Sequence, residues 1–212
     1  MKESTKMILT ELCERYPALC DQAENIETAF EILRNCFEQR GTVYLCGNGG
    51  SASDCEHITG ELMKSFKKKR PLPEGYAAAL KACGEDGETI CANLESGLRA
   101  VSLCGHPSFT TAYMNDKNPD FTFAQQVSVW GRHGDVLLTL STSGNSKNCV
   151  YAAHVAKVKG MQVVFLGGGT GGKLKGIADA SIVVPEKETF KVQELHLPVY
   201  HCLCAMLEEE FF

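Results

Sequence analysis

The sequence has no long apolar segment and no excess of basic residues. No stretch approaches the roughly 20 apolar residues that a membrane-spanning helix needs, and the charged N-terminus precedes no such region. The net charge of −5 argues against a surface that binds nucleic acid, and we interpret the one basic run, 64–70, as the solvated end of a helix. We therefore expect a soluble, cytoplasmic protein whose partners include neither a membrane nor a nucleic acid.

Motifs for cysteine chemistry and for nucleotide binding are absent as well. The 11 cysteines form no Cys-x-x-Cys pair, so we interpret them as reduced thiols that pack as small apolar side chains. The polar loop 141–146 lacks the Gly-Lys-Ser/Thr ending of a P-loop. Neither that loop nor loop 47–51 shows the G-x-G-x-x-G pattern with an acidic residue about 20 positions further on. No nucleotide cofactor is expected.

The chain is long enough to bury the core of a single domain covering residues 1–212, since 44% of its residues are hydrophobic. Short apolar runs rich in β-branched residues alternate with segments of helical periodicity. These runs lie at residues 41–46, 100–103, 136–140, 161–166 and 181–185. The alternation predicts an α/β fold, a three-layer doubly wound sheet of about five mostly parallel strands with helices on both faces.

Two regions lie outside this alternation. Residues 1–40 predict a pair of N-terminal helices, the second capped by Asp21, which pack either on their own domain or at a subunit interface. Residues 71–99 are rich in proline, glycine and acidic residues. We interpret them as an insertion that holds a strand fragment with a loop or short helix.

The stretch 41–66 reads as a strand, a glycine-rich loop and a helix. The loop 47–51 has three glycines and an asparagine in its first four positions, which leaves backbone N–H groups uncovered. Ser51 can cap the helix that follows, and the N-terminus of that helix attracts an anion. His57 and Glu61 are four positions apart, so an imidazole and a carboxylate lie on one face of the helix. The stretch predicts an anion site with acid–base groups beside it.

A second polar loop follows the strand at 136–140, directly before another helix. It carries four hydroxyl groups, on Ser141, Thr142, Ser143 and Ser146. Hydroxyls and backbone amides without a lysine can hold a phosphate monoester, whereas phosphoryl transfer usually needs cations. The carboxyl ends of parallel strands share one edge of a sheet, so both loops should meet around one ligand. A polar helix cap without a ligand is the alternative.

Together these motifs resemble the SIS (sugar isomerase) domain family, and within it the isomerases of heptose phosphates. The residues that carry the resemblance are Gly47-Asn48-Gly49-Gly50-Ser51 with Asp54, His57 and Glu61, then Gly134 to Leu138 with Ser141 to Ser146, then Val192 to His196 with His201. The resemblance implies that a ketose phosphate and an aldose phosphate are interconverted through an enediol. Sedoheptulose 7-phosphate is the first candidate substrate.

The resemblance also implies roles for individual residues. The phosphate site would fall on Ser141, Thr142, Ser143 and Ser146. Further contacts to the substrate would come from Asn48, Gly49, Gly50, Ser51, Asn115, Asp116 and Gln193. Glu61 would act as the base at carbon, and His201 would act as the second acid or base.

A metal ion and an assembly are implied in the same way. Zinc, where members of the family hold it, would be bound by His57, Glu61, Gln193 and His201. Imidazole and carboxylate ligands suit zinc, while an amide oxygen is an unusual fourth ligand. Whether Glu61 is a base or a metal ligand stays open. The family resemblance further implies a homotetramer with sites at subunit contacts.

Two departures from the heptose isomerases bear on the identity of the sugar. The insertion at 71–99 has no counterpart in the compact members, and Phe190 stands where they often carry an acidic residue. The alternative function is a non-catalytic phosphosugar-binding SIS protein, either a regulator or an adaptor for a replication initiator. The presence of both Glu61 and His201 favours the enzyme.

Overall fold

The computed structural model describes residues 1–212 and contains one sheet of five strands. The strands are β1 (Val43–Cys46), β2 (Ala100–Ser102), β3 (Val136–Ser141), β4 (Gln162–Gly168) and β5 (Ala180–Val184). Their order is β2-β1-β3-β4-β5, and every neighbouring pair is parallel. The central strand β3 is buried along its whole length, as expected for a parallel sheet covered on both faces. The predicted α/β fold is confirmed.

Ten α-helices surround the sheet. They are α1 (Glu3–Arg15), α2 (Ala23–Glu38), α3 (Gly50–Met63), α4 (Glu74–Lys81), α5 (Glu85–Asn93), α6 (Pro107–Asp116), α7 (Thr122–Trp130), α8 (Lys147–Val158), α9 (Gly172–Lys175) and α10 (Thr189–Phe211). Short 3-10 turns at Pro17–Gln22 and Pro119–Phe121 precede α2 and α7. None of the helices combines the length and the apolar character that crossing a membrane requires.

The sheet separates two hydrophobic cores, because alternate residues of a strand point to opposite faces. On one face Leu45 and Leu138 pack with the inner sides of α2, α3 and α10. On the other face Tyr44 and Leu137 pack with α7, α8 and α9. Helix α1 lies against α10, and α2 lies against β5 and α10, so the N-terminal helix pair packs on its own domain.

The segment 71–99 contains no strand, so the predicted strand fragment is wrong. It forms two short helices, α4 and α5, which pack mainly against each other and leave Tyr76 and Ile90 exposed. The alanine run at 77–79 accounts for the difference, because alanine is the strongest helix former and no strand lies beside it to pair with.

Two predicted helix caps are also wrong. Helix α2 starts after the predicted cap Asp21, because that residue belongs to the 3-10 turn that Pro17 opens. Helix α3 has Gly49 as its N-cap, at a φ of 56° that favours glycine. The buried Ser51 lies within the first turn of α3 and does not cap it.

The basic run 64–70 ends in a buried ion pair, contrary to the expected solvated helix end. Arg70 Nε donates to Oε1 of Glu208 in α10 at 2.8 Å, and the two side chains are 0% and 1% exposed. The remaining guanidinium nitrogens of Arg70 donate to the backbone carbonyls of Leu62 and Glu61, at 2.7 and 2.9 Å. The guanidinium therefore ties the C-terminal end of α3 to α10.

Glu208 is hydrogen-bonded on its other sides by the chain that follows α3. Its carboxylate accepts from the backbone N–H groups of Phe66, Lys67 and Lys68, at 2.8, 2.7 and 3.0 Å. Burial acts to raise the pKa of Glu208, but the N–H groups of Phe66 and Lys67 and the Arg70 guanidinium outweigh it and lower the pKa. The carboxylate is thus held in its charged form.

Replacing Glu208 by glutamine should lower the free energy of unfolding by about 3 kcal/mol, because it leaves the buried Arg70 without its counter-charge. Urea unfolding at a fixed protein concentration measures the loss. The pKa of Glu208 is lowered in the folded state, so its contribution is present above the ordinary carboxyl pKa and lost as the pH falls. The difference between wild type and variant should therefore shrink in acid.

The matched control is Glu209→Gln, at the next position along α10. Glu209 pairs with Lys68, but both side chains are partly exposed, so little stability depends on that pair. A Glu208→Gln variant that unfolds at the same urea concentration as Glu209→Gln would contradict the assigned role of the buried pair.

Candidate active site

Three loops meet at the carboxyl edge of the sheet, those that follow β1, β3 and β4. Asn48 after β1 and Asn148 of α8 exchange two hydrogen bonds between their side-chain amides, at 3.0 and 2.8 Å. The Gly144 carbonyl accepts a bond of 3.1 Å from the N–H of Leu174, in the segment after β4. A Cβ at Gly144 would lie 1.9 Å from the carbonyl oxygen of Gly171, so this contact requires glycine. The polar loops meet at this edge, as predicted.

The loop after β3 presents hydroxyl groups at the N-terminus of α8. Ser141 is buried, and its Oγ lies 3.1 Å from Oγ of Ser146, the N-cap of the helix. The Ser143 Oγ accepts a bond of 3.2 Å from the N–H of Asn145, and the Thr142 carbonyl is bonded to β4. The phosphate site on these hydroxyls stays a prediction, and the N-terminal dipole of α8 has the sign that favours an anion.

Gln193 of α10 lies over the start of α3. A Cβ at position 50 would lie 2.6 Å from its Nε2, so the amide is in contact with the Gly50 backbone. Asn48, Gly49 and Gly50 are exposed, so a ligand can reach this part of the loop. Gln193 therefore lies beside the glycine-rich loop.

A cluster of acid–base side chains lies further along α3. Nε2 of His57 is 3.3 Å from Oε1 of Glu61, whose side chain is only 13% exposed. The His201 ring of α10 lies 5.0 Å from the His57 ring, and Phe66 covers its other side at 5.5 Å between ring centres. His57, Glu61 and His201 are thus brought together by the packing of α3 on α10.

The imidazole of His201 is partly buried between α3 and α10. Burial, and then the neighbouring His57, lower the pKa of its imidazole, so the ring is neutral at neutral pH. Its Nε2 is buried and has no hydrogen-bond partner in the structure. A buried nitrogen without a partner is costly in a folded protein, which makes this atom a candidate for contact with a ligand.

Two further residues belong to this cluster, and no role was predicted for either of them. The hydroxyl of Tyr200 lies 3.0 Å from Nδ1 of His57 and donates to Oδ1 of Asp54 at 3.3 Å. Burial raises the pKa of Asp54, against the effects of Tyr200 and His57. Asp54 stands on the same helix face as His57, a spacing that could have indicated a contact. Nothing local to Tyr200 predicted its partner on α3.

Asn115 and Asp116 end helix α6 on the surface. Both are exposed, and the Asn115 amide donates to Asp116 at 2.9 Å. No hydrogen bond connects either residue to the glycine-rich loop or to the hydroxyl loop. Their contact with a substrate stays a prediction.

The predicted zinc ligands do not gather around one point in this conformation. No group of three or more histidine, cysteine, aspartate or glutamate side chains is arranged to hold a metal ion. Gln193 lies at Gly50, whereas Glu61 lies eleven positions further along α3. The four-residue zinc set therefore stays a prediction, although its imidazoles and carboxylate have the chemistry that zinc selects.

Sequence comparison places the chain among known proteins. The SIS domain model matches residues 9–96 and 97–168. The chain is 36% identical over 188 residues to a phosphoheptose isomerase of Leptospira biflexa, which covers 89% of this chain and 85% of that protein. It is 32% identical over 212 residues to a phosphoheptose isomerase of Akkermansia muciniphila, which covers 100% of this chain and 99% of that protein.

Solved structures agree with the sequence comparison. The phosphoheptose isomerase of Neisseria gonorrhoeae superposes with a TM-score of 0.72 at 29% identity, over 97% of this chain and 94% of that chain. The phosphoheptose isomerase of Francisella tularensis superposes with a TM-score of 0.71 at 28% identity. Since the family model and these relatives cover most of the sequence, the chain belongs to the SIS domain family, in its phosphoheptose isomerase branch.

Proposed function

We propose that the protein is an aldose–ketose isomerase that interconverts sedoheptulose 7-phosphate and D-glycero-D-manno-heptose 7-phosphate. The observation that carries the proposal is the contact of His57 with Glu61 and with the ring of His201, on the helix that starts at the carboxyl edge of the sheet. The relatives named phosphoheptose isomerase, which align over most of the chain, support the choice of substrate.

The separation between the glycine-rich loop and the pair of His57 and Glu61 suits a long sugar phosphate. Ser51, at the glycine-rich loop, and His57 are six positions apart, which is about 9 Å along a helix axis. A seven-carbon sugar with its phosphate in the hydroxyl loop extends over a comparable length. Its reacting carbons, C1 and C2, are at the end away from the phosphate, so they would come near Glu61.

The reaction moves protons only. Glu61 takes the proton from C1 of the ketose while the C2 carbonyl oxygen gains one, which gives an enediol. Glu61 then returns a proton to C2 as the C1 hydroxyl loses its proton, so the aldose forms with no net change of atoms. The neutral His201 exchanges the hydroxyl protons through Nε2, and Nε2 of His57 lies beside Glu61.

The alternative of a non-catalytic phosphosugar-binding protein is not favoured. Such a protein needs the phosphate loop but has no use for a carboxylate and two imidazoles in contact. The relatives with the highest coverage are named as isomerases. The homotetramer expected from the family stays part of the proposal, and exposed apolar side chains on α1 and α10, Met7 and Leu197, support it.

Replacing Glu61 by glutamine should lower kcat for sedoheptulose 7-phosphate by about 100-fold or more, because an amide cannot take the proton from carbon. Glu27→Gln, on the exposed side of α2, is the control for the loss of one carboxylate. If wild type turns over the substrate and Glu61→Gln matches it, Glu61 is not the base. If wild type binds sugar phosphates and isomerises none of them, the non-catalytic alternative is correct.

Replacing both Ser141 and Ser146 by alanine should raise KM by about 30-fold and change kcat little, since each hydroxyl contributes about 1 kcal/mol to holding the phosphate. Inhibition by inorganic phosphate should weaken in parallel. Ser128→Ala, at an exposed position of α7, is the control. Unchanged KM and unchanged phosphate inhibition would contradict the assignment of this loop.

Zinc binding can be tested without turnover. Elemental analysis of the purified protein should find zinc that is lost in His57→Ala and in His201→Ala, and lost less in Gln193→Ala, because the amide is the weakest ligand of the set. Protein that contains no zinc after growth and dialysis with added zinc, or zinc retained in both histidine variants, would remove the metal from the proposal.

A further inference from the structure

The isomerase reaction leaves Asp54 and Tyr200 without a role, although both contact its acid–base cluster. Tyr200 is 2% exposed, and its ring lies against the ring of His57 at 5.5 Å. Its hydroxyl lies between two side chains of α3, 3.0 Å from Nδ1 of His57 and 3.3 Å from Oδ1 of Asp54. Oε1 of Glu61 lies 3.3 Å from the other ring nitrogen of His57, so four side chains follow one another in a row.

The directions of these bonds follow from the protons that each group carries. A carboxylate can only accept, so the single hydroxyl proton of Tyr200 is donated to Asp54. The Tyr200 oxygen then presents lone pairs to His57, and Nδ1 of His57 must donate to it. Nε2, 3.3 Å from Oε1 of Glu61, then has no proton in the neutral ring, so it accepts a hydrogen bond from Glu61 once that carboxyl has taken the proton from carbon.

We propose that Asp54 and Tyr200 are positioning residues that hold His57 with its proton on Nδ1 and aim its Nε2 at Glu61. The inference rests on the proposed isomerase, since it says how the pair of His57 and Glu61 is oriented for proton exchange. Asp54 and Tyr200 act on His57 through the direction of their hydrogen bonds, and neither of them touches the substrate.

His57 needs such a partner because little else fixes its ring. Its side chain is 43% exposed, so solvent reaches the imidazole, and an exposed imidazole turns and changes tautomer readily. The neighbouring ring of His201 packs edge to face against it and offers it no hydrogen bond. Tyr200 is buried on α10, so its hydroxyl is held in place by the packing of that helix. The bond from Nδ1 to its hydroxyl thus sets the ring orientation.

The kinetic test is Tyr200→Phe, which removes the hydroxyl and keeps the ring. We expect kcat to fall about 10- to 100-fold, the loss typical when an imidazole loses the partner that orients it, with KM within about twofold. Tyr44→Phe is the matched control, because it removes the hydroxyl of another buried tyrosine, bonded to the Trp130 carbonyl. The control should keep the wild-type kcat.

Asp54 is tested by a pair of substitutions. Asp54→Asn keeps an oxygen that accepts the Tyr200 proton, so it should retain most of kcat. Asp54→Val removes the acceptor, so the Tyr200 proton is released towards His57 and kcat should fall as in Tyr200→Phe. Equal activity of the two Asp54 variants would overturn its positioning role.

Nitrogen-15 NMR of histidine-labelled protein reads the tautomer directly, with the His57 signals identified by their loss in His57→Gln. In protein freed of zinc with a chelator, wild type should carry a proton on Nδ1 of His57, and Tyr200→Phe should shift it to Nε2 in a large fraction of molecules. An unchanged tautomer or an unchanged kcat in Tyr200→Phe overturns the inference. The spectrum needs no turnover, so it decides the inference even if wild type isomerises no sugar phosphate and the proposed function fails.

Discussion

The packing of α3 against α10 is the constraint on which the site depends. The first helix carries His57 and Glu61, the second carries Tyr200 and His201, and none of these side chains can act in the proposed reaction without the other helix. The buried pair of Arg70 with Glu208 closes this contact at its far end. Removing one partner of a buried ion pair costs several kcal/mol of folding free energy, so the pair of Arg70 and Glu208 fixes α3 and α10 in one register.

The parallel sheet supplies the other half of the arrangement. Because its strands all end at one edge and β1 pairs directly with β3, the loops after these two strands lie side by side. In the proposed site the hydroxyl loop and the N-terminus of α8 hold the phosphate of the substrate, while α3 leads away from the edge towards His57 and Glu61. In the proposed reaction the phosphate therefore lies near the start of α3, and the carbons that react lie further along the same helix.

Much of this could be predicted from the sequence, because the signals are local. Buried parallel strands are short apolar runs, and two polar loops follow them, so the sheet and the meeting of these loops at one edge were predicted from pattern alone, while the anion site stays a prediction. The spacing of His57 and Glu61 predicted a shared helix face. Their contact with His201 was predicted only through the family resemblance, since no local pattern relates α3 to α10.

What the sequence did not predict depends on contacts between distant segments. Arg70 reads as the end of a basic run, and only its partner on α10 explains why it is buried. Tyr200 reads as a core aromatic residue until His57 and Asp54 are placed against its hydroxyl. The prediction of a strand fragment in 71–99 was wrong for a different reason. The alanines of this segment favour a helix, and no other strand lies beside it to pair with.

The central claim is that a proton, taken by Glu61, moves between C1 and C2 through an enediol. The most direct measurement is isomerisation of sedoheptulose 7-phosphate in heavy water, followed by NMR or mass spectrometry of the aldose product. The account predicts that wild type introduces carbon-bound deuterium at C2, because a proton on Glu61 exchanges with solvent, and that Glu61→Gln introduces almost none. Aldose formed at the wild-type rate without carbon-bound deuterium would indicate direct hydride transfer and would contradict the account.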